Sequence, residues 1–263
     1  MSNRLDDINK ETSTPVSTDA PLDHHPDSLA PLGKILVDEQ SGPGEVCYRA
    51  ARLAMVALHD GALAMQQAYD AIALPVDVSM KGTGAFRRQV PENKKAELAN
   101  AMASKFASIA KTAERNEASV QDSIASLESR IATALGNPRR NDNSVATAAS
   151  EIRTHIKSLP SKDRMGFLND AIEQGDREVL DAVIGYSCFA SGLDRKQLAV
   201  VRQLAAAKFA PRETRQLEAA RTVFDRCRAA QQSFVGRYLK LLPKVGEESR
   251  ATVALRKLKS EAA

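Results

Sequence analysis

The sequence contains no tryptophan, and its other aromatic residues are only 7 Phe and 4 Tyr among 263 residues. Strands favour β-branched and aromatic side chains, whereas alanine, leucine, glutamate, lysine and arginine favour helices. No segment alternates apolar and polar residues over the length of a strand, and no repeat of fixed period is visible. The lack of strand signals therefore predicts an all-α fold.

Cysteines and long apolar runs are also scarce. Cys47, Cys188 and Cys227 are far apart in sequence and form no CxxC pair, which favours free thiols in a reducing compartment over disulfides or a zinc site. The first residues have no apolar signal core, so we expect no secretion by a signal peptide. The most apolar run, 53–65, is too short to cross a bilayer ~30 Å thick. It predicts a buried helix and no membrane span.

The sequence lacks the short motifs of common catalytic sites, among them GxSxG and HExxH. His24 and His25 lie close to aspartates and form a candidate metal cluster, but a mobile terminal segment fixes no ligand geometry. We expect His59 and Asp60 to form a buried hydrogen-bonded pair instead of a metal site or a catalytic base. The prediction is a non-enzymatic protein without catalytic residues, cofactor or bound metal.

Charge is distributed unevenly along the chain. Residues 1–45 hold three basic and nine acidic residues, a formal charge of −6, whereas the remainder carries +10 and the whole chain +4. Residues 1–43 contain few large apolar side chains to offset the entropy of ordering, which predicts a disordered, flexible acidic arm. The last residues, 243–263, predict a basic C-terminal tail. An acidic arm on a basic body favours electrostatic docking onto partners.

Two long helical segments follow the arm. Pro75 ends the first, predicted for 44–74, and Pro91 opens the second, predicted for 92–135. We expect a long, coiled-coil-like helical hairpin as the domain 44–137. Apolar residues recur three or four positions apart on the second helix, and this seam is the candidate interface: Leu98, Met102, Phe106, Ile109, Val120, Ile124, Leu127 and Ile131. Either partner chains cover the seam, or helix 211–242 covers it within the chain.

A compact bundle of shorter helices is predicted for 142–242. Asp176 has the position of an N-cap, and Asp194 with Gln197 has the spacing of a capping box. Pro211 is placed to start the last helix. The predicted helices run over 144–159, 161–175, 177–192, 195–209 and 211–242.

The segment between the two long helices contains Gly82 and Gly84 beside basic residues. Glycine loops let backbone N–H groups approach phosphate oxygens, but no strand is predicted before this loop and no complete phosphate motif is present. The loop is therefore an interhelical linker, or a docking site if its aromatic and basic side chains are exposed. The candidate docking or phosphate contacts are Phe86, Arg87, Arg88, Arg139 and Arg140.

Nucleic-acid binding is the main alternative to a structural role. Basic pairs recur at 87–88, 94–95, 139–140 and 256–257, and phosphate contacts require only Lys and Arg on one face. However, these pairs fall in separate loops and helix ends, and aromatic residues for base stacking are scarce. The alternative prediction is a nucleic-acid-associated basic helical protein.

One stretch, 161–240, resembles a known group. It carries Ser161 to Arg164, Phe167-Leu168, Ala171-Ile172, Gly175-Asp176, Leu180 to Val183, Phe189 to Leu193 and Phe209-Ala210-Pro211. These residues resemble the C-terminal part of uncharacterised helical proteins encoded among the structural genes of tailed bacteriophages and prophages. The resemblance covers about a third of the chain and implies no catalytic residues. It implies a component of a virion or of virion assembly, located in the particle or in the bacterial host cytoplasm, with itself or other virion proteins as partners.

Overall fold

A computed structural model describes residues 25–37, 42–77, 86–136 and 143–242, and this part of the chain is predominantly helical. Its helices are α1 (Ala30–Leu36), α2 (Pro43–Ile72), α3 (Glu92–Ala134), α4 (Asn143–Ser158), α5 (Ser161–Gln174), α6 (Arg177–Ile184), α7 (Arg195–Phe209) and α8 (Pro211–Leu241). Two short strands, β1 (Leu74–Asp77) and β2 (Phe86–Gln89), lie between α2 and α3. The predicted tail 243–263 and the first 24 residues of the predicted arm lie outside the described residues.

The long helical hairpin is formed by α2 and α3, as predicted, and each helix ends within two residues of its predicted limit. A Cβ atom built on Gly61 would collide with the Ile109 side chain. Glycine therefore allows the two helices to approach closely at this point. The positions of Pro75 and Pro91 in the sequence were sufficient to locate the end of α2 and the start of α3, because proline cannot continue a helix through its interior.

The short strands correct the prediction that this connection lacks regular structure. β1 and β2 pair antiparallel, with Leu74 opposite Gln89 and Asp77 opposite Phe86. Each strand has only four residues. A segment so short gives almost no alternating signal, and the pairing depends on closing the intervening loop.

Part of the predicted arm is folded. Residues Pro26–Leu29 form a single 3₁₀ turn that leads into α1, and Leu29 and Leu36 are fully buried. The Gln216 side-chain amide donates a hydrogen bond to the Leu36 carbonyl at 3.3 Å. Residues 25–37 are therefore ordered, contrary to the prediction of a flexible arm up to residue 43, because burying two leucines offsets part of the ordering entropy.

The caps of the shorter helices are confirmed. The Asp176 carboxylate accepts a hydrogen bond from the Val179 amide at 3.1 Å and begins α6. Asp194 and Gln197 form the complete capping box of α7, in which the Gln197 amide donates to Asp194 at 2.7 Å. These contacts satisfy amide groups that have no partner within the helix.

Helix α6 is shorter than predicted, ending at Ile184 instead of continuing to Gly192. Gly185 follows its last residue, and Arg202 from α7 donates a hydrogen bond to the Ile184 carbonyl at 3.0 Å. The intervening residues include a 3₁₀ turn at Cys188–Ala190. A contact from another helix therefore satisfies a terminal carbonyl of α6, which no pattern within α6 itself could reveal.

The described chain forms two compact units, each with its own contacts. The first unit contains residues 29–50 and 118–224, and the second contains 25–28, 51–117 and 225–242. Within the described residues, the limits between the units fall inside α2, α3 and α8 and inside the 3₁₀ turn Pro26–Leu29.

Candidate interaction surfaces

The apolar seam of α3 is buried within this chain. Leu98, Met102 and Ile109 are buried in the second unit, and Val120, Leu127 and Ile131 are buried in the first. Phe106 and Ile124 are half-buried. The eight predicted interface residues therefore belong mostly to the core of the chain, which leaves them unavailable to a partner while this fold is kept.

Helix α8 covers the seam in the second unit. The Phe106 ring stacks on Tyr238 with ring centroids 4.2 Å apart and on Phe234 at 5.3 Å. Beside them, the Gln231 amide donates to the Glu117 carboxylate at 2.8 Å. Of the two ways of covering the seam that the sequence left open, coverage by helix 211–242 is the one found here.

The polar interruption of the seam is also accommodated. Asn116 is buried, and its side-chain amide donates to the Thr112 carbonyl at 2.9 Å within the same helix. Glu117 instead faces α8, where Arg228 lies 3.7 Å from its carboxylate. A buried amide with a local partner costs less than one left unsatisfied, so the interruption does not break the helix.

A groove of about 1020 Å³ lies in the first unit. Its apolar lining includes Ile131, Leu135 and Leu217, and its rim carries Arg221, whose guanidinium pairs with Glu128 at 2.7 Å. These lining residues come from α3 and α8, with further contributions from α6 and α7. Such a mixed apolar and charged lining suits a protein segment as well as a small molecule.

A buried carboxylate oxygen lies against Gly136 beside this groove. Oδ1 of Asp181 has no hydrogen-bond partner in the described chain, and a Cβ at Gly136 would collide with it. Gly136 adopts a φ of +94°, which glycine tolerates better than other residues. Burial raises the pKa of Asp181, and the nearby Arg177 opposes that rise only in part.

Helix α7 has an exposed row with apolar residues in its middle and cations at both ends. We call it the α7 row: Lys196, Val200, Leu204 and Lys208. Val200 and Leu204 lie one turn apart on the same face of the helix. Their side chains are 44% and 41% exposed. On the adjacent, inward-facing side of the helix, Val201 and Ala205 are fully buried. This row was not predicted, although its four-residue spacing is visible in the sequence.

The loop before α7 presents Phe189, which is 73% exposed. Arg164 holds this loop by donating to the carbonyls of Gly192, Leu159 and Lys157. These bonds tie the connection between α4 and α5 to the connection between α6 and α7. A large apolar side chain on such a well-bonded loop loses little entropy when it contacts a partner.

The predicted docking residues are only partly described. Phe86, Arg87 and Arg88 have their backbone in β2, and their side chains lie outside the description. Arg139 and Arg140 lie outside the described residues altogether. Their roles as docking or phosphate contacts stay predictions.

The histidines of the described chain pair locally. His59 is buried with Nδ1 3.3 Å from the Asp60 carboxylate, as predicted, but the Asp60 side chain is 39% exposed, so only half of the pair is buried. The His25 ring meets the His59 ring edge-on, with centroids 5.3 Å apart, and His24 lies outside the described residues. Within the described ranges, no three His, Cys, Asp or Glu side chains are grouped so as to hold a metal ion.

The three cysteines are buried and none of them forms a disulfide, as their spacing predicted. Cys227 is 1% exposed, and its Sγ lies 3.8 Å from the Ala51 carbonyl. Burial raises the pKa of Cys227 to about 12, and the negative charge of Glu117 adds to the rise. A thiol with this pKa stays protonated at neutral pH and is a poor nucleophile or metal ligand.

Comparison with known proteins does not extend this picture. No family model, no curated protein and no solved structure matches the chain. None of the helices in the described ranges is long and apolar enough to cross a membrane.

Proposed function

We propose that this chain is a non-enzymatic structural or assembly protein that works through helix–helix interfaces, as a component of a bacteriophage virion or of its assembly. The observation that carries the proposal is that each unit has a helix with two exposed apolar residues one turn apart. These pairs are Val200 with Leu204 on α7, and Val235 with Leu239 on α8. Exposed apolar residues one turn apart are the anchors by which helices dock onto helices.

The internal coverage of the α3 seam refines this proposal. Since α8 and the rest of the chain already cover most of the seam, assembly uses the outer faces of α7 and α8 instead. Each chain then folds as a preformed block, and association adds contacts without rearranging the core. The resemblance of 161–240 to proteins encoded among phage structural genes supports a place in the virion, or in the bacterial host cytoplasm during its assembly.

Light scattering over a concentration series, at low and high salt, tests the assembly role. We expect a mass that rises with concentration to a closed oligomer and persists at high salt, since apolar contacts are not screened. A chain that stays monomeric at every concentration would contradict self-assembly. Mass spectrometry of particles purified after prophage induction tests the virion role: the chain should copurify with particles at a constant ratio to their major proteins.

A second candidate is association with nucleic acid. Exposed Lys157, Lys162, Arg195 and Lys196 lie on the helix ends that the Arg164 hydrogen bonds bring together. Phosphate binding by such a cluster predicts an affinity that falls steeply with salt. No binding to a labelled oligonucleotide at low salt would remove this candidate.

A further inference from the structure

We infer that the α7 row is the docking site for the acidic N-terminal segment, residues 1–24, of a second copy of this chain. The inference rests on the proposed assembly role and names the surface and the segment through which two copies meet.

The row is a preformed surface. Its helix begins at the Asp194–Gln197 capping box and is fastened to α6 by the bond from Arg202 to the Ile184 carbonyl. Val201 and Ala205, on its inner side, are fully buried. A partner therefore meets fixed side-chain positions and does not have to order the helix when it binds.

The charge of α7 excludes direct pairing of two copies of this helix. The fifteen residues of α7 include four basic side chains and no acidic one. Two α7 rows placed face to face would bring their lysines together, and such like-charge contacts oppose association. The apolar pair Val200 and Leu204 therefore requires a partner that brings apolar side chains flanked by carboxylates.

The chain itself contains a segment of this composition. Residues 1–24 carry five acidic and two basic side chains. Leu5 and Ile8 lie among Asp6, Asp7 and Glu11, so apolar residues and carboxylates alternate closely in sequence. The acidic groups complement Lys196 and Lys208 at the two ends of the row, while Leu5 and Ile8 complement its apolar middle.

Docking of this segment gives two equivalent contacts between a pair of chains. Each copy supplies one acidic segment and one α7 row, so two copies related by a two-fold axis can satisfy both contacts at once. The contact joins ionic and apolar parts, and its association constant should weaken with salt without being abolished.

Complementary charge reversal in full-length chains tests the inference. Two variants are made, Lys196→Glu with Lys208→Glu, and Asp6→Lys with Asp7→Lys. All four positions are exposed or lie outside the described chain, and helicity measured by circular dichroism checks that both variants stay folded. Light scattering then measures each variant alone and the two mixed.

Each variant alone should associate about tenfold more weakly than the wild type or worse, because its row and segment now repel. The mixture should recover association, since the reversed row of one chain faces the reversed segment of the other. Leu204→Glu should weaken association in the same way. Leu53→Glu, a matched control on α2 with a side chain 40% exposed, should leave binding of a labelled peptide 1–24 to the full chain unchanged.

The outcomes separate the inference from the assembly role. A wild-type chain that oligomerises while both charge variants keep its mass would overturn the inference and leave the assembly role standing. A monomeric wild type would overturn both. Loss of association that the mixture does not recover would mean that the row binds another occupant, and would overturn the inference. So would a lysine variant that keeps its mass but no longer binds an oligonucleotide or an anionic vesicle.

Discussion

Two helices of this protein carry rows of apolar side chains with the same helical spacing, but one row is buried and the other is exposed to solvent. The seam of α3 is buried against the rest of its own chain, with Val120 and Leu127 fully inaccessible. The α7 row is exposed, with Val200 and Leu204 more than two-fifths accessible. Spacing alone therefore identifies a face that packs, but the partner of that face is decided by the other helices of the fold.

Composition distinguishes the two rows where spacing does not. The α3 seam contains large apolar residues over about nine turns of helix, and the side chain of Asn116, a polar residue within it, is hydrogen-bonded to a carbonyl of the same helix. The α7 row has lysine at both ends, which keeps an exposed face soluble while leaving two apolar residues in its middle. Protein interfaces commonly have an apolar middle and a polar rim of this kind.

The largest expected effect separates the buried row from the exposed one. Leu127→Ala removes a fully buried side chain and should lower the free energy of unfolding by about 2–5 kcal/mol, because it leaves a cavity. Leu204→Ala on the α7 row should lower it by about 0.5 kcal/mol or less. Urea unfolding followed by circular dichroism measures both. Equal losses would mean that the two rows do not differ in burial.

An intermediate effect tests the close approach of α2 and α3. Gly61→Ala should cost about 1–3 kcal/mol of unfolding free energy, since the new methyl group meets Ile109. Gly236→Ala on α8 is the matched control, because nothing lies within 4 Å of the new atom. There the removal of a helical glycine should add about 0.5–1 kcal/mol. Thermal or urea unfolding gives both values, and a stabilised Gly61→Ala variant would contradict the close packing.

The smallest effect concerns the buried carboxylate beside the groove. Because burial raises the pKa of Asp181 in the folded chain, its neutral form is favoured there. The corresponding stability is present at low pH and is lost as the pH rises through the raised pKa. Asp181→Asn removes this loss, so its melting temperature should match the wild type in acid and exceed it at neutral pH.

Melting curves of both proteins from about pH 3, below the usual aspartate pKa, to neutral pH measure this difference. A gap that is constant with pH, or that opens in favour of the wild type, would contradict the assigned burial of the carboxylate. Unlike Oδ1 of Asp181, Oδ1 of Asp176 accepts a hydrogen bond, from the Val179 amide at the start of α6.

The sequence by itself determined the fold class and most helix limits. Prolines 75, 91 and 211 and the caps Asp176 and Asp194 act within one or two turns of chain, so their effects are local and readable. The His59–Asp60 contact was predictable for the same reason, whereas the wide spacing of the three cysteines predicted that they form no disulfide.

Only the tertiary structure decided which faces are covered. The fold of residues 25–37, the β1–β2 pairing, the end of α6 at Ile184 and the exposure of the α7 row all depend on residues distant in sequence. A periodic pattern shows that one face of a helix is apolar. Which residues cover that face depends on other segments of the chain, whose positions the pattern does not specify. Because the α3 seam is buried and the α7 row is exposed, the proposed surface of assembly moves from α3 to α7.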